Sequence, residues 1–214
     1  MAKEQSCGKY RILRKGEDST CVPVDADIKR YLTPKEKEIA QRVFKNSIIY
    51  DNVIIHKGEY LWFGMQDNHT AMTPEGEIYF PEEVYREDFS VSDATSKNIS
   101  NRHFFIHEMT HVWQYQKGYD VKWKGGLLHP MCKVKGCDPY NYTLDESKKF
   151  CDYNLEQQGD IIADYFEYFL DDSPHTVVSD SGNSYRNYKY LYPKVLSDFL
   201  AHPDNGNLNL PRVK

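Results

Sequence analysis

Two histidines and a glutamate in the segment from Phe104 to Gly118 have the residue types and spacing of a zinc site. The segment reads FFIHEMTHVWQYQKG and contains the pattern His-Glu-x-x-His, formed by His107, Glu108 and His111. In an α-helix, positions i and i+4 lie about 40° apart around the axis, so both imidazoles can reach one ion. The glutamate lies at the edge of the same face, where its carboxylate can take a proton from an activated water. The pattern therefore predicts metal-assisted hydrolysis.

A third metal ligand has to come from elsewhere in the chain, and the segment NLEQQGDIIADYF offers one. Glu156 and Asp160 stand one turn apart on a second predicted helix, and Glu156 is the expected third ligand. Asp160 is expected to accept the outer ring N–H of a ligand histidine and so fix its tautomer. Gly159 removes a side chain beside these two residues, which would let the helices approach closely. Three residues stay open as alternative third ligands: His129, Asp152 and Asp160.

The helix that must carry the two histidines is predicted from about Ser96 to Lys117, with Gly118 placed to end it. Its side opposite the histidines is apolar, which predicts that this side packs on a core. The apolar residues are Phe105, Ile106, Met109, Val112 and Trp113. His103 falls on the histidine side, one turn before His107, and is expected to line the cleft rather than bind metal. The alternative interpretation is an ordinary amphipathic helix with two solvent-facing histidines.

The remaining patterns predict an α+β fold for the chain. LTPKEKEIAQRVFKN predicts a helix, because Thr33 can cap it, Pro34 suits its first turn and Glu36 completes a capping box. Residues 47–81 are rich in β-branched and aromatic side chains and predict a small sheet, antiparallel or mixed, with a turn at 73–76.

The second half of the chain predicts a long loop between two helices. Glycines and prolines are frequent from Tyr119 to Thr143, which favours a loop that borders a functional site. The second helix is predicted from about Asp152 to Leu170, and YLYPKVLSDFL predicts a third helix near the end. We expect one domain over residues 1–214, with residues 1–30 as a loosely packed arm.

Composition excludes several classes of partner. The 214 residues carry a net charge of −5 and no basic stripe, which argues against nucleic acid and anionic membranes as partners. No stretch approaches the roughly 18 apolar residues of a transmembrane helix. The first 20 residues lack the apolar segment of a secretory signal, so we expect synthesis in the cytoplasm without a signal peptide.

The five cysteines leave the redox environment open. Their odd number means that at least one is unpaired within a monomer. Cys132 and Cys137 lie close together in HPMCKVKGCDPYN, where two free thiols, a disulfide or a second metal site are all compatible with the spacing. A pair between Cys7 and Cys21 is also open. A disulfide would indicate that the protein works in an oxidising compartment.

The two helix motifs together carry a family resemblance. The pattern His-Glu-x-x-His followed by Glu-x-x-x-Asp resembles the gluzincin class of zinc metallopeptidases. The chain is also similar to Vgr-related metallopeptidase domains of bacterial type VI secretion. The segments that carry this resemblance are FIHEMTHVWQYQ and YNLEQQGDIIADYF, preceded by MTPEGEIYF. Those domains occur as extensions of VgrG spike proteins or as separate effectors. The resemblance covers about residues 70–170.

This resemblance implies a zincin-like fold, bound Zn2+ and a toxin role. It implies His107, His111 and Glu156 as zinc ligands and Glu108 as the catalytic carboxylate. Expected partners are a peptide, protein or peptidoglycan-stem substrate, a cognate immunity protein and a component of the secretion spike. Export by type VI secretion to the periplasm of a target cell is expected. A cytosolic housekeeping peptidase and a zinc-stabilised binding protein without turnover are the alternatives.

The hydroxyl or imidazole that would stabilise the oxyanion of such a reaction is not determined by the sequence. Five residues qualify by type and by position near the predicted site, and none has a distinguishing pattern. They are Tyr119, His129, Tyr140, Tyr142 and His175.

Overall fold

The fold is α+β, as predicted, with small sheets in the first part of the chain and helices in the second. It is a computed structural model that describes residues 10–15, 18–23, 28–60, 69–91, 100–171 and 188–212, the first two ranges by their backbone only. No helix within these ranges is long and apolar enough to cross a membrane.

The strands form a hairpin and a mixed three-stranded sheet. Strands β1 (Tyr10–Lys15) and β2 (Asp18–Pro23) pair antiparallel. In the second sheet, β3 (Ile28–Tyr31) is antiparallel to β4 (Ile54–Lys57), which is parallel to β5 (Ile78–Phe80). The small sheet predicted for residues 47–81 is thus confirmed in part: β4 and β5 lie in this range and the sheet is mixed, but its third strand, β3, comes before it because strands of three or four residues do not encode their partners.

The turn predicted at 73–76 is confirmed, although it does not join two regular strands. Met72 and Tyr79 exchange two backbone hydrogen bonds of 3.1 and 2.9 Å, which makes an isolated antiparallel bridge. Residues 73–76 form the bend between them, and Gly76 has the positive φ of 80° that a glycine adopts without strain.

Helix α1 (Pro34–Phe44) has the predicted capping box. The Thr33 hydroxyl accepts from the Glu36 amide at 3.1 Å, and a Glu36 carboxylate oxygen accepts from the Thr33 amide at 2.8 Å. Glu36 is fully buried and also pairs with Arg30 of β3 at 2.7 Å and with the amide of Phe89 at 2.9 Å. One side chain thus caps the helix and joins it to the sheet.

The histidine helix, α2, extends over Asn101–Gln116. It begins later than the predicted Ser96 because Ser100 is extended and caps it, accepting from the amide of His103 at 2.9 Å. The predicted apolar face is confirmed, since all five of its side chains are completely buried. Trp113 also donates from its indole N–H to the carbonyl of Pro203 at 2.7 Å.

The second motif helix, α4, extends over Leu155–Phe169. It begins after the predicted Asp152 because Asn154 caps it and Gln157 completes a capping box. Helices α2 and α4 pack against each other and run antiparallel. Residues near the end of α2 therefore contact residues near the start of α4, and the reverse. The pairs are His111 with Glu156, His107 with Asp160, His103 with Asp164 and Ser100 with Glu167.

The predicted loop from Tyr119 to Thr143 is mostly a helix, α3 (Val121–Lys135), so that prediction is wrong. Asp120 caps its start by accepting from the amide of Trp123 at 3.0 Å, and Gly136 ends it in the left-handed conformation. A disulfide between Cys132 and Cys137 closes the last turn. These end signals outweigh the glycines and the proline inside the segment.

The tail adds three short helices instead of the one predicted. They are α5 (Leu191–Val195), α6 (Ser197–Ala201) and α7 (Gly206–Asn209). The break at Leu196 divides the predicted helix in two. Leu191, Tyr192 and Phe199 are buried against the apolar side of the motif helices and complete the core.

Candidate metal centre

Three donor atoms from α2 and α4 converge at one point. The Nε2 atoms of His107 and His111 are 3.1 Å apart, and Oε2 of Glu156 lies 3.4 and 3.3 Å from them. All three residues are buried. In a tetrahedral site with ligands about 2.0–2.2 Å from zinc, neighbouring donors lie about 3.3–3.6 Å apart. The spacing of the triangle therefore fits three ligands of one zinc ion.

The hydrogen bonds at the Nδ1 atoms of His107 and His111 indicate which ring nitrogens are available to bind a cation. Nδ1 of His107 lies 2.7 Å from Oδ1 of Asp160, and Nδ1 of His111 lies 2.9 Å from Oε1 of Gln114. Gln114 donates from its amide nitrogen to Leu155 and Gln158, which fixes its oxygen toward the ring. Both Nδ1 atoms then carry a ring proton, which leaves both Nε2 atoms, turned toward the Glu156 carboxylate, to bind a metal ion or a second proton.

The electrostatics of the triangle also favour a cation. Burial alone lowers the pKa of His107, but the Asp160 and Glu156 carboxylates outweigh it and hold that pKa well above its ordinary value. The pKa of His111 is raised in the same way, chiefly by Glu156 against the effect of burial. The carboxylates around the buried imidazoles thus favour a positive charge at the triangle, which a second ring proton or a metal ion can supply. The residues present fit a divalent ion with nitrogen and oxygen ligands.

Glu108 lies beside the triangle and outside it. It is buried, its charge raises the pKa of both histidines, and its Oε2 accepts a hydrogen bond from Thr73 at 2.6 Å. This arrangement leaves it near the ligands without being one of them. A carboxylate so placed can move protons at a metal site.

Gly159 makes the approach of the two helices possible, as predicted. A Cβ atom at this position would lie 2.6 Å from Cε1 of His107, well inside van der Waals contact. The ring of His107 occupies the space that any other side chain would need. The glycine therefore determines where this ligand can stand.

Among the predicted oxyanion candidates whose side chains the structure describes, Tyr140 lies beside the triangle. Its ring centroid lies 6.1 Å from that of His107. Burial raises the pKa of Tyr140 far above its usual range, and the negative charges of Glu156 and Glu108 add to this. The phenol therefore stays protonated and acts as a hydrogen-bond donor.

The other candidates lie elsewhere or outside the described part. Tyr142 donates to Asp164 and contacts Tyr192, in a buried network away from the triangle. Tyr119 is half-buried just after the end of α2, and burial raises its pKa. His175 and the side chain of His129 are not among the described groups, and neither is the proposed pair of Cys7 with Cys21. Asp152, an alternative ligand, caps a turn at the Lys149 amide instead.

His103 belongs to a second group that could hold an ion, with Asp164 and Glu167. The structure already satisfies these groups by hydrogen bonds. His103 contacts Oδ1 of Asp164 at 2.9 Å, and Ser100 donates to Oε1 of Glu167 at 2.5 Å. Oδ2 of Asp164 accepts from two hydroxyls, those of Tyr142 and Tyr192. The cluster is a saturated network that joins the two helices.

A solved structure shares this arrangement of elements. The effector domain of Pseudomonas aeruginosa VgrG2b superposes with a TM-score of 0.60 and 32% sequence identity, over 86% of this chain and 85% of that one. This chain belongs to the family of the VgrG2b effector domain. No protein-family model matches the sequence.

The full-length VgrG2b protein also matches by sequence. The type VI secretion system spike protein VgrG2b of Pseudomonas aeruginosa is 40% identical over 143 residues, which are 66% of this chain. The match spans only 13% of that protein's length, so the similarity concerns the effector part of VgrG2b.

The sequence predicted no role for two residues that contact the candidate site. Gln114 falls on the histidine face of α2 by its helical angle, and that angle is the signal that could have revealed it. Thr73 lies 35 positions before Glu108 in a bend, and no local pattern links the two.

Proposed function

We propose that this chain is a zinc-dependent metallopeptidase with a zincin-like active site, delivered as a type VI secretion effector. His107, His111 and Glu156 would hold the zinc ion. The observation that carries the proposal is the triangle of donor atoms 3.1–3.4 Å apart, with the buried Glu108 carboxylate beside it. Membership of the VgrG2b effector family supports the route of delivery.

The residues around the triangle have distinct parts in the proposed hydrolysis. When bound, zinc would lower the pKa of a water molecule toward about 7 and polarise the scissile carbonyl. Glu108 accepts the proton of the attacking water and returns it to the leaving amine. Asp160 and Gln114 hold the two imidazoles in the tautomer that ligates. The Tyr140 hydroxyl donates a hydrogen bond to the carbonyl oxygen as negative charge develops on it.

The substrate would be an amide bond in the target-cell envelope, in a protein or in a peptidoglycan stem peptide. The disulfide between Cys132 and Cys137 favours an oxidising compartment such as the periplasm over a housekeeping role in the cytosol. The producing cell would need a cognate immunity protein, and delivery would need a component of the secretion spike.

Metal content tests the ligand set directly. We expect about one zinc per chain in the wild-type protein by elemental analysis. His107→Ala and Glu156→Ala should lose it, because two remaining ligands bind zinc weakly. His103→Ala is the matched control, since this histidine stands one turn away on the same helix face and pairs with Asp164. Wild-type protein that stays zinc-free after reconstitution would contradict the proposal.

Glu108→Gln separates catalysis from metal binding. The glutamine keeps the shape of the side chain and can still accept from Thr73, but it cannot take a proton. We expect unchanged zinc content and loss of about 10²–10⁴-fold in hydrolysis of labelled casein or purified peptidoglycan. Toxicity after targeting to the periplasm should be lost in parallel. Full toxicity of Glu108→Gln would favour a zinc-stabilised binding protein without turnover.

A further inference from the structure

Thr73 makes a buried hydrogen bond to the proposed catalytic carboxylate. Its hydroxyl donates to Oε2 of Glu108 across 2.6 Å, and both residues are only 4% exposed. A hydroxyl bond to an ionised carboxylate is shorter and about twice as strong as one between neutral groups. A buried carboxylate oxygen that loses its donor is destabilised by its desolvation. The contact therefore controls where this carboxylate can stand.

The bend that presents Thr73 packs on the helix that carries Glu108. A Cβ atom at Gly76 would lie 2.4 Å from Cδ1 of Tyr115, so the backbone at this position rests directly on the tyrosine ring. Tyr115 follows Glu108 by seven residues, which places both on the same face of α2. The bend at 73–76 thus lies along two turns of that face, with Thr73 over Glu108 and Gly76 over Tyr115.

Backbone hydrogen bonds at its base fix the conformation of the bend at 73–76. Met72 and Tyr79 close it with two hydrogen bonds, and Tyr79 belongs to β5 of the mixed sheet. An ion pair of 3.0 Å between Glu75 and Lys122 also joins the bend to α3, but both side chains are exposed and add little. The hydroxyl of Thr73 is therefore fixed relative to the sheet as well as to α2.

We propose that Thr73 is a positioning residue for Glu108, which it holds by one carboxylate oxygen so that Oε1 is the oxygen that takes the proton. This inference rests on the proposed function, because it gives Glu108 the role of general base. General-base catalysis depends on placement within hydrogen-bond reach, and a misplacement of about 1 Å can lower the rate about 10²-fold. Thr73 itself contacts neither the metal ligands nor the substrate in this role.

Thr73→Val removes the hydroxyl and preserves the shape of the side chain. We expect kcat on labelled casein to fall about 10²-fold, with KM and zinc content unchanged. Thr73→Ser should recover most of kcat, because it restores the donor. Thr110→Val is the matched control: Thr110 is buried on the same helix, and its hydroxyl donates to the Ile106 carbonyl within the helix. That variant should keep wild-type kcat.

Binding of acetohydroxamate to the zinc-loaded protein gives a readout that does not depend on the substrate. This small chelator binds a metal through its oxygens and offers a proton to a neighbouring carboxylate. Glu108→Gln should weaken its Kd about tenfold, Thr73→Val should reproduce most of that loss, and Thr73→Ser should bind as wild type. Wild-type affinity and kcat in Thr73→Val would overturn the inference alone. Absence of zinc, or wild-type affinity in Glu108→Gln, would instead overturn the proposed function.

Discussion

The ring of His107 and the backbone at Gly159 share one space, and this contact sets the position of a proposed ligand. Replacing a glycine in a helix by alanine usually stabilises the helix by up to about 1 kcal/mol. At Gly159 the new Cβ would meet Cε1 of His107 at 2.6 Å, so the ring has to rotate away from Asp160. We expect Gly159→Ala to lower zinc affinity at least about tenfold, as measured by competition with a chromophoric chelator.

Gly125 provides the control for this substitution. It lies inside α3, where an added Cβ would meet Cδ1 of Leu155 at an ordinary contact distance of 3.6 Å. Gly125→Ala should keep the zinc affinity of the wild type and the normal helical gain in stability. Wild-type zinc affinity in Gly159→Ala would show that the ring of His107 has another position from which to bind.

Tyr140 and Tyr142 are neighbours in sequence with different surroundings, which predicts different effects of removing their hydroxyls. Tyr140 lies beside His107 among the carboxylates of the site, so Tyr140→Phe should lower kcat about 10²-fold and leave zinc content unchanged. Tyr142 bonds to Asp164 and Tyr192, so Tyr142→Phe should lower thermal stability and leave kcat near wild type. Equal activity of Tyr140→Phe and wild type would exclude Tyr140 as the oxyanion donor.

Among the elements, a disulfide and two hydrogen bonds stabilise α3 and the segment that follows it. The disulfide between Cys132 and Cys137 closes the end of the helix. Beyond it, the carbonyls of Pro139 and Asn141 accept from Asn154 and Gln157 at the start of α4. These two hydrogen bonds hold Tyr140 next to the helix that carries Glu156, and they do not depend on the redox state of the cysteines.

Loss of the disulfide should therefore affect stability more than metal binding. For so short a loop, chain entropy gives a disulfide contribution of about 2 kcal/mol to the free energy of unfolding. We expect Cys132→Ser with Cys137→Ser to lose about that amount in urea denaturation and to keep its zinc. Wild-type protein in a strong reductant should behave alike. Identical denaturation midpoints with and without reductant would show that the disulfide does not stabilise the fold.

The same elements show which parts of the fold can be predicted from sequence. Helix α1 was predictable from its capping box at Thr33, and the two motif helices from their periodic apolar faces, although the caps at Ser100 and Asn154 place the starts of both motif helices later than predicted. Helix α3 was not, because Gly125 and Pro130 carry strong local signals against a helix, while its stabilising contacts are at its ends. The parallel pairing of β4 with β5 depends on how distant segments meet.

The candidate site also contains residues that could be predicted from the sequence and residues that could not. His107, His111 and Glu156 follow from spacing on helices, since i, i+4 geometry brings such residues to one face. Thr73 reaches the site only because the bend at 73–76 packs along α2, and no pattern near position 73 encodes that packing. Residues placed by local periodicity were predictable, and residues placed by tertiary packing were not.

For the molecule as a whole, the antiparallel pair of α2 and α4 concentrates ionisable side chains along the contact between the two helices. Three imidazole–carboxylate pairs run from His111 with Glu156 to His103 with Asp164, and the pair of Ser100 with Glu167 follows them. At the Ser100 end of this series, the hydroxyls of Ser100, Tyr142 and Tyr192 donate to the carboxylates of Glu167 and Asp164. At the other end, His107, His111 and Glu156 converge on one point, where the bound cation of the proposed function would lie.

Removal of metal should consequently lower the stability of the entire domain. A ligand present at 100 times its Kd stabilises the native state by about 2.7 kcal/mol, and about 1 kcal/mol shifts Tm by about 2–4 °C in a chain of this size. We expect excess EDTA to lower Tm by about 5–10 °C in a thermal melt, and added zinc beyond the chelator to restore it. His111→Ala should melt at the same temperature with either addition, because it lacks a ligand. A wild-type Tm that is indifferent to chelator and zinc would mean that the buried carboxylates and imidazoles stabilise one another without an ion.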